Sequence, residues 1–130
     1  MTCDVEFLAV VNDALSGTRF NALVITKFEG SLELSNGKNR FQVNWSGWLS
    51  TGPEAVHPEG AEGYEYASVI GPMIGDYLSA ITHNNGVYEL AFASGRSVFA
   101  GHFGEVNGAD HVLMVKAHGD GAPFTWGLLD

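Results

Sequence analysis

The strongest constraint on this chain is a pair of alternating runs separated by Asn36-Gly37. Ser31 to Ser35 reads Ser-Leu-Glu-Leu-Ser, and Lys38 to Trp48 carries Phe41, Val43 and Trp45 at every second position. Alternation of this kind places apolar side chains on one side of a pleated strand. Asn-Gly tolerates the positive φ that a tight hairpin requires. A two-residue turn at Asn36-Gly37 predicts Ser35 opposite Lys38, Glu33 opposite Arg40 and Leu32 opposite Phe41. Leu32, Leu34, Phe41, Val43 and Trp45 then share one apolar face, and Glu33 pairs with Arg40 on the other.

A sheet with one apolar face must bury it, and the remaining segments supply what is needed. Ala22 to Thr26 is a short apolar, β-branched run ahead of the hairpin. Tyr77 to Thr82, Val87 to Ala93 and Arg96 to Phe103 read as three further strands, joined by turns at Asn84-Asn85-Gly86 and Ser94-Gly95. Tyr88, Leu90, Phe92 and Phe99 are expected on one face. Gly30-Ser31-Leu32-Glu33-Leu34 matches Gly86-Val87-Tyr88-Glu89-Leu90, and Phe41 and Trp45 stand to the first hairpin as Phe99 and Phe103 do to the second. The expectation is a pseudo-repeat of three-stranded units near residues 20–49 and 75–104. His111 to Lys116 and Phe124 to Leu128 add strands, the latter at an edge.

Two segments read differently. In Asp4 to Leu15, Phe7, Val10, Val11, Ala14 and Leu15 fit one helical face, with Asp4 placed to cap the start and Gly17 to follow the end. A strand over Phe7 to Val11 is the competing reading. Ile70 to Gly75 suits a single helical turn, with proline near its start and glycine at its end. The sum is one mainly β domain over residues 1–130, with six to eight strands and one or two short helices. Its form is an antiparallel two-sheet sandwich or a partly open barrel.

Composition narrows the function classes. Hydrophobic residues make up 45% of the 130-residue chain, enough for one self-supporting core. No run reaches the apolar length of a membrane span, and the N-terminus lacks a basic region followed by a long apolar one. Cys3 is the single cysteine, so no internal disulfide can form. These features predict a soluble, cytoplasmic protein. There are 6 Lys and Arg against 15 Asp and Glu, a formal net charge of -9. Such a surface repels a phosphate backbone, which argues against nucleic-acid binding, and suits a basic protein partner. Simple solubility is the plainer explanation of the same charge.

A Gly-, Pro- and Glu-rich stretch near residues 50–63 reads as a long acidic loop. Glu54, Glu59 and Glu62 run through it, with Glu65 at its exit. Trp48 precedes it, and Tyr64 and Tyr66 follow it. Trp48, predicted on the opposite side from Trp45, would join Tyr64 or Tyr66 in an exposed aromatic patch suited to a protein interface. The leading expectation is therefore a non-enzymatic interaction domain, of the small inhibitor or immunity type, that meets a basic protein. A small-ligand or carbohydrate-binding domain is the first alternative, with a pocket at Trp48, Tyr64 or Tyr88. An enzyme is the second. It would need His83, His102, His111 or His118 to meet one another or a carboxylate such as Asp110 or Asp120. Ser79 and Ser94 are candidate alcohols near His83, but no nucleophile-elbow motif surrounds them. His57 lies in the loop. No phosphate-loop pattern or calcium loop is present, and no cofactor or metal is expected. A homo-oligomer formed through a sheet edge or apolar face is the third alternative.

Overall fold

In the computed structural model, residues 5–25, 30–45, 48–51, 70–101, 112–119 and 124–129 are described. They form a helix, α1 (Val5–Leu15), and nine strands. The strands are β1 (Arg19–Ile25), β2 (Gly30–Ser35), β3 (Asn39–Trp45), β4 (Trp48–Ser50), β5 (Leu78–Asn84), β6 (Val87–Phe92), β7 (Ser97–Gly101), β8 (Leu113–Gly119) and β9 (Trp126–Leu129). A turn of 3-10 helix at Gly71–Met73 stands where a helical turn was expected. Two antiparallel sheets result, ordered β1-β2-β3-β8-β9 and β4-β7-β6-β5. The fold is a mainly β, two-sheet sandwich with one short helix.

Strand number exceeds the expected range because the run from Lys38 to Trp48 is divided. Its first part, β3, lies mid-way across the five-stranded sheet, and its last residues open β4 at the edge of the other. The chain thus changes sheets between Trp45 and Trp48. Each sheet contains a three-stranded meander, β1-β2-β3 in one and β5-β6-β7 in the other.

The first hairpin keeps its predicted faces but not its predicted pairs. Leu34 lies opposite Phe41, Leu32 opposite Val43, Glu33 opposite Gln42, and Ser35 opposite Arg40. The cause is the Asn36 side chain, whose Oδ1 accepts the N–H groups of Lys38 at 2.9 Å and Asn39 at 2.8 Å. This local side-chain turn moves the bend one residue along, so each pairing slips by two. A slip of two leaves every side chain on its own face. Leu32, Leu34, Phe41, Val43 and Trp45 are all buried, whereas Glu33 no longer faces Arg40.

The Ser94-Gly95 turn changes faces as well as pairs. Gly95 N–H donates to Phe92 O at 3.0 Å and Phe92 N–H to Arg96 O at 2.9 Å, enclosing three residues rather than two. Gly95 has φ +93°, as the bulged end of such a loop requires. The added residue shifts the register by one, so Leu90 meets Val98 and Tyr88 meets Ala100. Val98 and Ala100 enter the core, and Phe99 points outward beside Glu89. The turn between β5 and β6 behaves as its sequence indicates. Asn85 at φ 51° and Gly86 at φ 78° form the two-residue loop, flanked by Asn84 paired with Val87.

The core lies between the inner faces. Phe20, Leu34, Phe41 and Val115 come from one sheet, and Ile81, Tyr88, Leu90 and Val98 from the other. Each such fully buried aliphatic or aromatic side chain contributes roughly 1.5–3 kcal/mol through burial. One side of the sandwich is stitched by backbone hydrogen bonds. Phe20 N–H donates to Asp76 O, Gly75 N–H to Phe20 O, and Leu78 N–H to Thr18 O, each at 2.8 Å.

Helix α1 covers the β5 edge and contributes Val11 and Leu15 to the core. Leu8 turns inward and Val10 outward, at 40% exposure, in place of the predicted face that included Val10. Asn12 donates Nδ2–H to Ile81 O and accepts Ile81 N–H at Oδ1, both at 2.6 Å. One turn later, the Ser16 hydroxyl donates to Ser79 O at 3.0 Å. Four helical residues rise about 6 Å and two strand residues about 6.6 Å, so the spacings match. The helix thereby supplies part of the hydrogen bonding that a neighbouring strand would give this edge.

Candidate functional site

Trp48 lies on the outward side of the four-stranded sheet, directly across from Gly101, with Ser50 across from Phe99. The expectation set Trp48 opposite Trp45 along one strand, whereas the two residues belong to strands of different sheets. Trp48 is only 5% exposed, and its indole lies so close over Gly101 that an added Cβ would meet the ring at 2.5 Å. It is buried without joining the main core cluster. The exposed aromatic patch expected around it consequently does not include this side chain. Alternation gives the side on which a residue points, but not what lies over it. Glu54, Glu59, Glu62, Tyr64 and Tyr66 lie outside the described residues, as does the rest of the acidic stretch after Thr51.

Charge is divided unevenly along the chain. Between Phe41 and Gly95 the sequence holds no Lys or Arg and six Asp or Glu. Four of those carboxylates are Glu54, Glu59, Glu62 and Glu65.

Of the candidate histidines, only His83 and His118 lie within the described residues. His83 lies on β5 opposite Tyr88, with ring centroids 4.7 Å apart. Partial burial disfavours its charged form and lowers its pKa below the usual 6.5. His118 is exposed on β8, in the other sheet. His57, His102 and His111, with Asp110 and Asp120, lie outside the described residues. Among the described residues, no group of three His, Cys, Asp or Glu side chains could hold a metal ion. Ser94 is engaged by Asp76, whose carboxylate accepts the Ser94 hydroxyl and the backbone N–H of Tyr77 at 2.8 Å. The Ser94 hydroxyl is the leading cause of the lowered Asp76 pKa. Ser79 accepts the Ser16 hydroxyl through its backbone carbonyl. Tyr88, offered as a pocket residue, is fully buried.

Sequence reasoning missed the outer face of the five-stranded sheet. Its register sets Glu33, Gln42, Lys116 and Trp126 in a row across β2, β3, β8 and β9. The next row holds Ser35, Arg40 and His118. Asn21 sits at a bulge in β1 and donates its Nδ2–H to the Ser35 hydroxyl. A cleft of about 180 Å³ opens here, lined by Asn21, Glu33, Ser35, Arg40, Gln42 and His118, with Leu34 and Phe41 at its base. Trp126 is 58% exposed at the end of the first row. Arg40 and Lys116 form no ion pair with any described residue. The sequence offered a signal in the polar positions alternating with the core of β3 and β8. What it lacked was the strand order that brings those positions together.

No described helix is long and apolar enough to cross a membrane. Comparison with family models, with curated proteins and with solved structures finds no match.

Proposed function

We propose that this protein is a non-enzymatic interaction domain that binds a basic protein surface, in the manner of a small inhibitor or immunity-type protein. Its contact residues are Glu54, Glu59, Glu62, Tyr64 and Tyr66. The observation that supports this reading is the clustering of charge along the sequence. Acidity that served solubility alone would be spread evenly along the chain. Here Glu54, Glu59, Glu62 and Glu65 fall within a stretch that holds no Lys or Arg. Carboxylates concentrated in sequence, with Tyr64 and Tyr66 beside them, suit electrostatic attraction followed by aromatic contact. Trp48 serves as a buried footing immediately before this stretch rather than as a contact.

The test is affinity purification from the cells that produce the protein. Wild type is run beside a variant carrying Glu54→Gln, Glu59→Gln, Glu62→Gln and Glu65→Gln. The expected result is one stoichiometric basic protein retained by wild type, released as salt rises toward about 0.5 M, and absent with the variant. A partner that the variant retains, an acidic partner or the absence of any stoichiometric partner would overturn the proposal.

A further inference from the structure

A second surface points to a different ligand. We propose that the outer face of the five-stranded sheet binds a short acidic oligosaccharide. Trp126 is its stacking ring, Arg40 and Lys116 are its carboxylate partners, and Glu33 and Gln42 are its hydroxyl partners. Four features converge on this class of ligand.

The first is the exposed ring. Trp126 is 58% exposed, and its register places it directly across from Lys116 on this face. An indole offers a flat apolar surface to the C–H face of a sugar ring while its N–H remains free to donate. The second is cationic surplus. Arg40 and Lys116 lie on this face without an ion pair to any described residue, in a chain whose net charge is -9. Two cations without an anionic partner among the described residues suit an anionic group, which Arg40 can hold by paired hydrogen bonds.

The third feature is Glu33, on the row between Ala22 and Gln42. A carboxylate accepts hydrogen bonds and repels other anions. A phosphate-only ligand gains nothing from it. A sugar acid offers hydroxyl donors to Glu33, acceptors to Gln42 and a carboxylate to Arg40, so the mixed side-chain set is used in full. The fourth is geometry. The 180 Å³ cleft is smaller than the roughly 300–1,000 Å³ of a drug-sized pocket, so it receives one substituent rather than a whole ligand. With strands about 4.8 Å apart, Trp126 stands about 10 Å from Gln42 and about 14 Å from Glu33 along the row. The ligand must therefore be extended across strands.

Nucleic acid fits this surface less well. Single-strand binders stack successive bases on several rings along a positive groove, and here one exposed ring shares its row with a glutamate. A long polyanion would also meet the repulsion of the whole chain, which a short ligand with few charges largely avoids. None of the residues named for this site belongs to the acidic stretch after β4.

The test is titration of isotope-labelled protein with trigalacturonate, followed by nuclear magnetic resonance. Maltotriose, inorganic phosphate, a short single-stranded oligonucleotide and a glutamate-rich peptide are run as comparisons. Trigalacturonate is expected to shift the Trp126 indole N–H and the amides of Arg40, Gln42 and Lys116, and maltotriose to bind at least about tenfold more weakly. Trp126→Ala and Arg40→Gln, both at exposed positions, should each weaken trigalacturonate by about tenfold or more while leaving the remaining spectrum folded. The variant with four glutamines in the acidic stretch should bind trigalacturonate like wild type, whatever becomes of its protein partner. No shift on this face at millimolar trigalacturonate would overturn the proposal. So would equal binding of phosphate, oligonucleotide or peptide, or wild-type binding by both single variants.

Discussion

His83 is half-buried on the inner side of β5, against the Tyr88 ring, and carries its proton less readily than a free imidazole. The unfolded chain therefore binds more protons than the folded one as pH falls through the ordinary histidine value of 6.5. Stability from this residue is complete above that pH and declines below it, toward the lowered folded value. A series of denaturant melts from neutral to mildly acidic pH should show this decline. His83→Gln should flatten the part of it centred below 6.5. If both proteins follow the same curve, the imidazole is solvated and its packing against Tyr88 has no effect on protonation. The sequence placed His83 just before a turn, which by itself says nothing of what covers it. Its desolvation depends on the β5–β6 register, which points it to the same side as Ile81 and Tyr88. Trp48 shows the same gap between side and cover. Alternation along the run from Lys38 gave neither the change of sheet before it nor its 5% exposure.

At the scale of elements, α1 acts as a substitute neighbour for the β5 edge. Removing the Asn12 amide leaves the Ile81 N–H and C=O without their side-chain partner. Asn12→Ala should cost about 1–3 kcal/mol, read from urea midpoints, because two bonds to partly buried backbone groups disappear together. The same variant should lose hydrogen-exchange protection at Ile81 and show more concentration-dependent association, since an uncovered strand edge templates pairing. Faster exchange elsewhere with an unchanged Ile81 amide would contradict this role. The helix itself was legible from its 3.6-residue spacing, but which polar residue faced the sheet was not. Turn chemistry divided in the same way. Asn85-Gly86 adopts the two positive φ values that its sequence indicates. Asn36-Gly37 carries the same pair of residues, yet the Asn36 carboxamide captures two following N–H groups and moves the bend. At Ser94-Gly95 a single additional loop residue reversed the expected face of Phe99. Apolar alternation fixed the faces of β2 and β3 because a shift of two preserves them. It misplaced Phe99 because a shift of one does not.

At the scale of the whole molecule, an uncharged core and a run of carboxylates at Glu54, Glu59, Glu62 and Glu65 make stability and association respond differently to salt. Raising ionic strength from about 0.1 to 1 M shortens electrostatic reach from about 10 Å to about 3 Å. Burial of uncharged side chains dominates the core between the sheets. Screening should therefore move the thermal midpoint by no more than about 4 °C, the equivalent of about 1 kcal/mol for a domain of this size. Capture of a basic partner depends on Coulombic attraction and should weaken by more than about tenfold over the same range. Neutralising Glu54, Glu59, Glu62 and Glu65 should imitate high salt in the binding assay and leave the melt at low salt nearly unchanged. A rise of more than about 4 °C in that variant would mean that the four carboxylates repel one another or the framework at close range. They would then be a strain on the fold rather than charges held ready for a partner, and the interaction reading would lose the observation that supports it.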